Sequence, residues 1–145
     1  MNTIEEKLFD NIPSQIDEAK ILSLLRAGIM NNKSGKKYFI SIKYSTNAND
    51  KEISKWLGLS ERTYGTYKKA KSISFKPQLQ EQILKILTLI KHGREVFGSN
   101  DKFMKWLETE NFYFDKKPPV EFLTTSSGLK FVDDRLSAME YGDNV

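Results

Sequence analysis

Residues 77–97 read PQLQEQILKILTLIKHGREVF, and what this run packs against decides the fold. Pro77 suits the first position of a helix, where its missing N–H costs nothing. Leu79, Ile83, Ile86, Leu87, Ile90 and Phe97 share one broad face at helical spacing, while Leu84, Leu89 and Val96 point elsewhere. A helix that is apolar on two sides is buried between two partners. It is either the central strut of the fold or also a surface between copies of the chain. His92 lies near its end and reads as a half-buried polar residue, with no second histidine to make a ligand pair.

Upstream, Asp50 is placed to cap KEISKWLG, where Ile53, Trp56 and Leu57 form an i, i+3, i+4 face. Gly58 stops that helix, Leu59 plugs the turn, and Ser60 caps ERTYGTYKK. Two helices joined this way form a helix-turn-helix pattern, whose second helix enters the major groove. Tyr64 then faces the core with Ile53 and Leu57. The candidate DNA-contacting set is Ser60, Arg62, Thr63, Thr66, Tyr67, Lys68 and Lys69. Within it Arg62, Thr63, Thr66 and Tyr67 point to base edges or phosphates, with Lys68 and Lys69 near the backbone. Gly65 inside this helix either permits close approach to DNA or is simply tolerated.

Nearer the N-terminus, Ser14 with Asp17 three residues on makes a capping-box pattern. It predicts a helix from Gln15 to Ala27 carrying Ile21, Leu24 and Leu25. KKYFISIKYSTN (36–47) suits a strand by its β-branched and aromatic residues and a helix by the spacing of Tyr38, Phe39 and Ile42. Downstream, Gly98 ends the strut and SND starts a short helix with Phe103, Trp106 and Leu107. NFYFDKKPP is a rigid loop, PVEFLTTSSG a brief helix, and Gly128 leads into LKFVDDRLSAMEYG, with Leu129, Val132, Leu136 and Met139 at helical spacing. Asp133 and Asp134 are adjacent, so they point to different faces and suit solvent rather than shared metal ligation.

The 145 residues, 39% apolar with nine Phe, six Tyr and two Trp, can bury a real core. No run approaches a membrane span and the first twenty residues lack an apolar leader core, so a cytoplasmic protein is expected. Zero cysteines exclude disulfide and thiolate chemistry, and one histidine leaves little for a metal site or a nucleophile–base pair. No enzyme, metal or cofactor is expected. The net charge of +4 is uneven: residues 1–32 carry −2, residues 33–71 carry +7 and residues 72–145 carry −1. The positive block surrounds the helix-turn-helix pattern, as phosphate binding requires.

From Glu95 onward the residue order resembles the toxin-binding region of the Xre/MbcA/ParS antitoxin family. EVFG (95–98), KFMKWL (102–107), Asn111, PVEFLTTSSG (119–128) and LSAMEYG (136–142) carry the resemblance, and the preceding KEISKWLGLSERTYGTYKK is similar to the family's Xre-like head. The resemblance implies an all-α fold, with an Xre-like helix-turn-helix domain over residues 1–75 and a connecting helix plus toxin-binding domain over 76–145. It implies a dimeric type II antitoxin that binds operator DNA to regulate its own operon and neutralises a RES-domain toxin, an enzyme that consumes NAD or transfers its ADP-ribosyl part. By position it places Trp106, Met139, Glu140, Tyr141, Gly142, Asp143, Asn144 and Val145 at the toxin. FYFDKK (112–117) is more aromatic than the family's small, glycine-rich stretch, which points to a differently shaped toxin contact. Physically, Tyr141 is a rigid aromatic anchor, and Glu140 suits arginines that would otherwise hold substrate phosphates. Alternatively Tyr141 folds back over the last helix. The competing function is a stand-alone dimeric repressor with no toxin partner.

Overall fold

The computed structural model describes residues 4–142, which are helical apart from turns and one isolated bridge between Asn111 and Lys117. The elements are α1 (Ile4–Phe9), α2 (Glu18–Arg26), α3 (Ser34–Thr46), α4 (Asp50–Leu57), α5 (Glu61–Lys69), α6 (Pro77–Phe97), α7 (Asn100–Glu108), 3₁₀ turns at Phe112–Phe114 and Pro119–Phe122, and α8 (Ser126–Glu140). The expected all-α fold is what the chain adopts.

The segment with two readings is the helix α3. Gly35, Tyr38, Phe39, Ile42 and Ser45 are buried at helical spacing, and Ser41 donates its hydroxyl to the Tyr38 carbonyl at 2.7 Å. Burial along that stripe overrides the strand preference of its β-branched and aromatic residues.

Three helix starts differ from the sequence expectation. Asp17, not Ser14, caps α2 and accepts the Lys20 N–H at 3.1 Å. Ile16 stays outside the helix because its side chain is buried and its N–H is donated to Asp133 Oδ2 at 3.0 Å. Asn49, not Asp50, caps α4 and accepts the Glu52 N–H at 2.8 Å. That frees Asp50 to pair with Lys43 and Lys68, at 3.3 and 2.5 Å. Thr125 caps α8 three residues before Gly128, which lies in the first turn against the Phe122 carbonyl.

Helix α6 is the strut, packed by α2, α3, α4, α7 and α8. Every residue from Ile83 to Ile90 is buried. At about 1.5–3 kcal/mol for each buried Leu or Ile, this one helix supplies a large share of the hydrophobic stabilisation. A Leu87→Ala cavity at its centre costs about 2–5 kcal/mol. Lys85 is 3% exposed in this apolar setting. Its Nζ lies 2.8 Å from Glu18 and 2.6 Å from Ser126 Oγ, so the charge is satisfied and α6 is tied to α2 and α8. Gly93 lets the Phe103 ring of α7 lie directly against α6, since a Cβ there would overlap that ring.

The apolar core is continuous from Phe9 to Leu136. Hydrogen bonds cross residue 75 in several places: Lys91 Nζ donates to the Phe9 and Ile12 carbonyls at 2.8 and 2.7 Å, and Gln82 Nε2 donates to the Trp56 carbonyl at 2.9 Å.

Candidate DNA and partner interfaces

Helices α4 and α5 meet through a three-residue turn in which Gly58 is left-handed, with φ 68°. Ser60 caps α5 as expected, its oxygen accepting the Thr63 N–H at 3.0 Å. Tyr64 faces inward at 1% exposure against Phe39, with ring centroids 5.2 Å apart. Burial, reinforced by the charge of Asp50, pushes its phenol up to about 12.

Tyr67, expected among the base-reading residues, is partly buried, its ring leaning on the core. It packs edge-on against Phe39 at 6.1 Å and Phe75 at 5.6 Å. The reason is helical arithmetic: positions 64 and 67 share a face, so both go with the core. Arg62, Thr66 and Lys69 lie on the other side and are exposed. Thr66 donates its hydroxyl to the Arg62 carbonyl at 3.1 Å.

The basic block is partly used internally. Lys36 Nζ reaches the carbonyls of Tyr67 at 2.6 Å and Lys68 at 2.7 Å, and also that of Ala70, so it closes the C-terminal end of α5. Desolvation lowers its ammonium from the usual lysine value. Lys43 holds the Ala48 carbonyl at 2.7 Å as well as Asp50. Lys68, expected near the DNA backbone, is drawn to Asp50, whose carboxyl is lowered chiefly by that bond. Lys33, Lys37, Lys51, Lys55, Arg62, Lys69 and Lys71 remain exposed.

At the other end of the molecule, α8 buries Leu129, Val132, Asp133 and Leu136 against α6. His92 is fully buried, 1% exposed, rather than half-buried. Its Nδ1 lies 2.7 Å from Asp133 Oδ1, and its Nε2 meets Glu140 Oε1. Asp133 is itself 1% exposed, which corrects its reading as a solvent-facing acid, whereas Asp134 is exposed and pairs with Lys130 at 2.5 Å. Burial works against the charged imidazole, but the bonds and charges of Asp133 and Glu140 outweigh it and raise the ring above its usual value.

Of the residues expected at a toxin, Met139 packs partly against the core, Glu140 is held by His92, Tyr141 is 87% exposed and Gly142 is left-handed at φ 100°. Tyr141 therefore does not fold back over the last helix. Trp106, expected at a toxin, is 7% exposed and wedged among Phe97, Phe103 and Phe114 at 5.6–6.1 Å. It lies on the inward face of α7 with Phe103 and Leu107. Asp143, Asn144 and Val145 lie outside the described residues.

The aromatic loop has a defined shape. Asn111 accepts the Tyr113 N–H at 3.0 Å, and Asp115 and Lys116 turn the chain with φ of 59° and 63°. Phe112 is 79% exposed, and the Arg135 guanidinium lies over the Tyr113 ring at 3.5 Å. Among the described residues no His, Asp and Glu group is placed to hold a metal ion, and no helix is long and apolar enough to cross a membrane.

Residues 92–142 match the family model of the antitoxin Xre/MbcA/ParS C-terminal toxin-binding domain. No curated protein matches the chain. The matched stretch is roughly a third of the sequence and supports the antitoxin family for this chain. The matched stretch opens at His92 and closes at Gly142, two residues past Glu140, so the His92–Glu140 bond ties its first residue to its last turn. Sequence reasoning missed that pairing. The signal was present, because 129, 133, 136 and 140 recur at i, i+4, i+7 and i+11 and so put Asp133 and Glu140 on the inward stripe of α8.

Proposed function

We propose that the chain is the antitoxin of a type II toxin–antitoxin system, binding and neutralising a RES-type toxin through its C-terminal end and binding operator DNA through α4 and α5. The observation that carries the reading is the match of residues 92–142 to a toxin-binding domain whose last helix ends on a displayed aromatic, Tyr141 at 87% exposure. A large rigid side chain standing free at a helix end suits insertion into a partner's pocket. The exposed face of Arg62, Thr66 and Lys69 supports the DNA-binding part, with the +7 block around it supplying attraction to phosphate. Such a protein works as a homodimer on a two-fold operator. It acts by occupying the toxin's active site and catalyses nothing itself.

The test removes Tyr141 to Val145 and leaves Met139 and Glu140, which pack and bond within the fold. Coexpressed with the neighbouring gene's product, the truncated protein is expected to lose growth rescue and copurification while still shifting operator DNA. Rescue by the truncated protein refutes the C-terminal reading. A neighbouring product that is harmless and does not copurify with the intact chain favours the stand-alone repressor.

A further inference from the structure

The only histidine of the chain sits inside the fold with an acid on each ring nitrogen: Asp133 on Nδ1 at 2.7 Å and Glu140 on Nε2. A neutral imidazole has one N–H and one lone pair, so it satisfies one carboxylate and turns a lone pair on the other. Two carboxylate partners require the imidazolium, in which both nitrogens donate. The two acids differ in what else holds them. Asp133 is 1% exposed and its second oxygen accepts the Ile16 N–H at 3.0 Å. The Glu140 side chain is 38% exposed, in the last residue of α8.

The other charges around the ring are engaged or turned away. On α6, Lys85 is bound to Glu18 and Ser126, Lys91 to the Phe9 and Ile12 carbonyls, and Arg94 lies over the Phe9 ring. On α7, Asp101, Lys102 and Lys105 are exposed. Asp133 and Glu140 are thus the charges that act on the ring, and they favour its protonated form.

We propose that His92 is the positioning residue of the C-terminal end: as an imidazolium it grips Glu140 and fixes the last turn of α8, and on losing a proton it releases Glu140 and with it the direction in which Tyr141 leaves the helix. Asp133 stays put when the proton goes, because Ile16 still holds it and burial gives it no water to turn to. Glu140 has solvent at hand and nothing else fixing it. The Tyr141 and Gly142 amides, bonded to Ala138 and Met139 carbonyls at 3.1 Å, report whether that turn stays closed. The purpose given to this end rests on the functional reading above, but the latch does not.

The experiment uses the full chain, ¹⁵N-labelled so that the single imidazole is directly assignable. At about pH 6, both ring nitrogens are expected to carry protons, and on raising the pH the Tyr141 and Gly142 amides shift with the same midpoint as the ring. Glu140→Ala, at a partly exposed position, removes the acceptor altogether, lowers that midpoint and moves both amides to their high-pH positions already at about pH 6. With the coexpressed RES-domain toxin as probe, Glu140→Ala binds about tenfold more weakly, the effect of one lost charge-assisted hydrogen bond. The wild type loses a similar factor as the ring deprotonates, while the variant has a flat pH profile, which a purely structural histidine does not give. A ring with a single protonated nitrogen at about pH 6, or amides that ignore the ring's midpoint, overturns the proposal. A toxin that fails to bind the wild type at any pH overturns the functional reading instead, and the ring and amide shifts still decide the latch.

Discussion

Gly65 and Gly93 both lie inside helices, and the same substitution at each is expected to act with opposite sign. In a helix interior, alanine is favoured over glycine by about 1 kcal/mol, because glycine loses more backbone freedom. A Cβ at Gly65 meets nothing within 4 Å, so Gly65→Ala keeps that gain. At Gly93 the added carbon would overlap three ring carbons of Phe103, well inside the roughly 3.5–4.0 Å of a carbon–carbon contact. The ring has no free direction in which to retreat, being stacked on Phe97 and Trp106 at 6.1 Å each. Overpacking of this kind costs about 1–3 kcal/mol, which exceeds the propensity gain over most of its range. Gly93→Ala is therefore destabilised by up to about 2 kcal/mol. At roughly 2–4 °C per kcal/mol for a chain of this size, its melting temperature falls by as much as about 8 °C while that of Gly65→Ala rises by a few degrees. Calorimetry on both variants measures this, and Phe103→Leu supplies the control. In that background the ring is gone and Gly93→Ala becomes neutral or better, a coupling of about 1–2 kcal/mol. If Gly93→Ala melts at or above Gly65→Ala, the reasoning from the α6–α7 contact is wrong.

Two further outcomes are expected. Arg62→Ala weakens operator binding by about 1–3 kcal/mol and relaxes sequence preference, whereas Lys69→Ala weakens operator and random DNA alike and reduces the salt slope by about 1; equal losses on both DNAs for Arg62→Ala refute a base-reading role. Stability depends on pH through His92, whose folded value is raised above its ordinary 6.5. Its contribution is complete below that ordinary value and is lost as pH rises through the folded one, so the urea midpoint falls on the alkaline side and His92→Gln flattens the curve.

Much of the architecture was legible because it rests on local rules. Pro77, Gly58, Ser60 and the two-sided apolar pattern of 77–97 each specify a start, a stop or a burial that the chain then makes. The failures share one cause, which is competition between local signals settled by distant contacts. Ser14 reads as the cap with Asp17 as its capping-box partner, but the helix starts after Asp17 because Asp133, over a hundred residues away in sequence, takes the Ile16 N–H. The charge census around α5 counted Lys36, Lys43 and Lys68 as free, since nothing in a sequence shows a lysine spent on a neighbouring helix end or on Asp50. Trp106 and Tyr67 look like contact residues by type. Their helical positions, beside Phe103 and Tyr64, bury Trp106 and cover part of Tyr67.

The uninterrupted core from Phe9 to Leu136 has a consequence for how the chain comes apart. The exposed face of α5 and the C-terminal end of α8 draw on one shared set of buried residues, so the two ends are expected to melt together. Beyond local fraying such as the last turn of α8, heat or denaturant is expected to take α5 and α8 apart in one transition, and two separate melting steps would refute this.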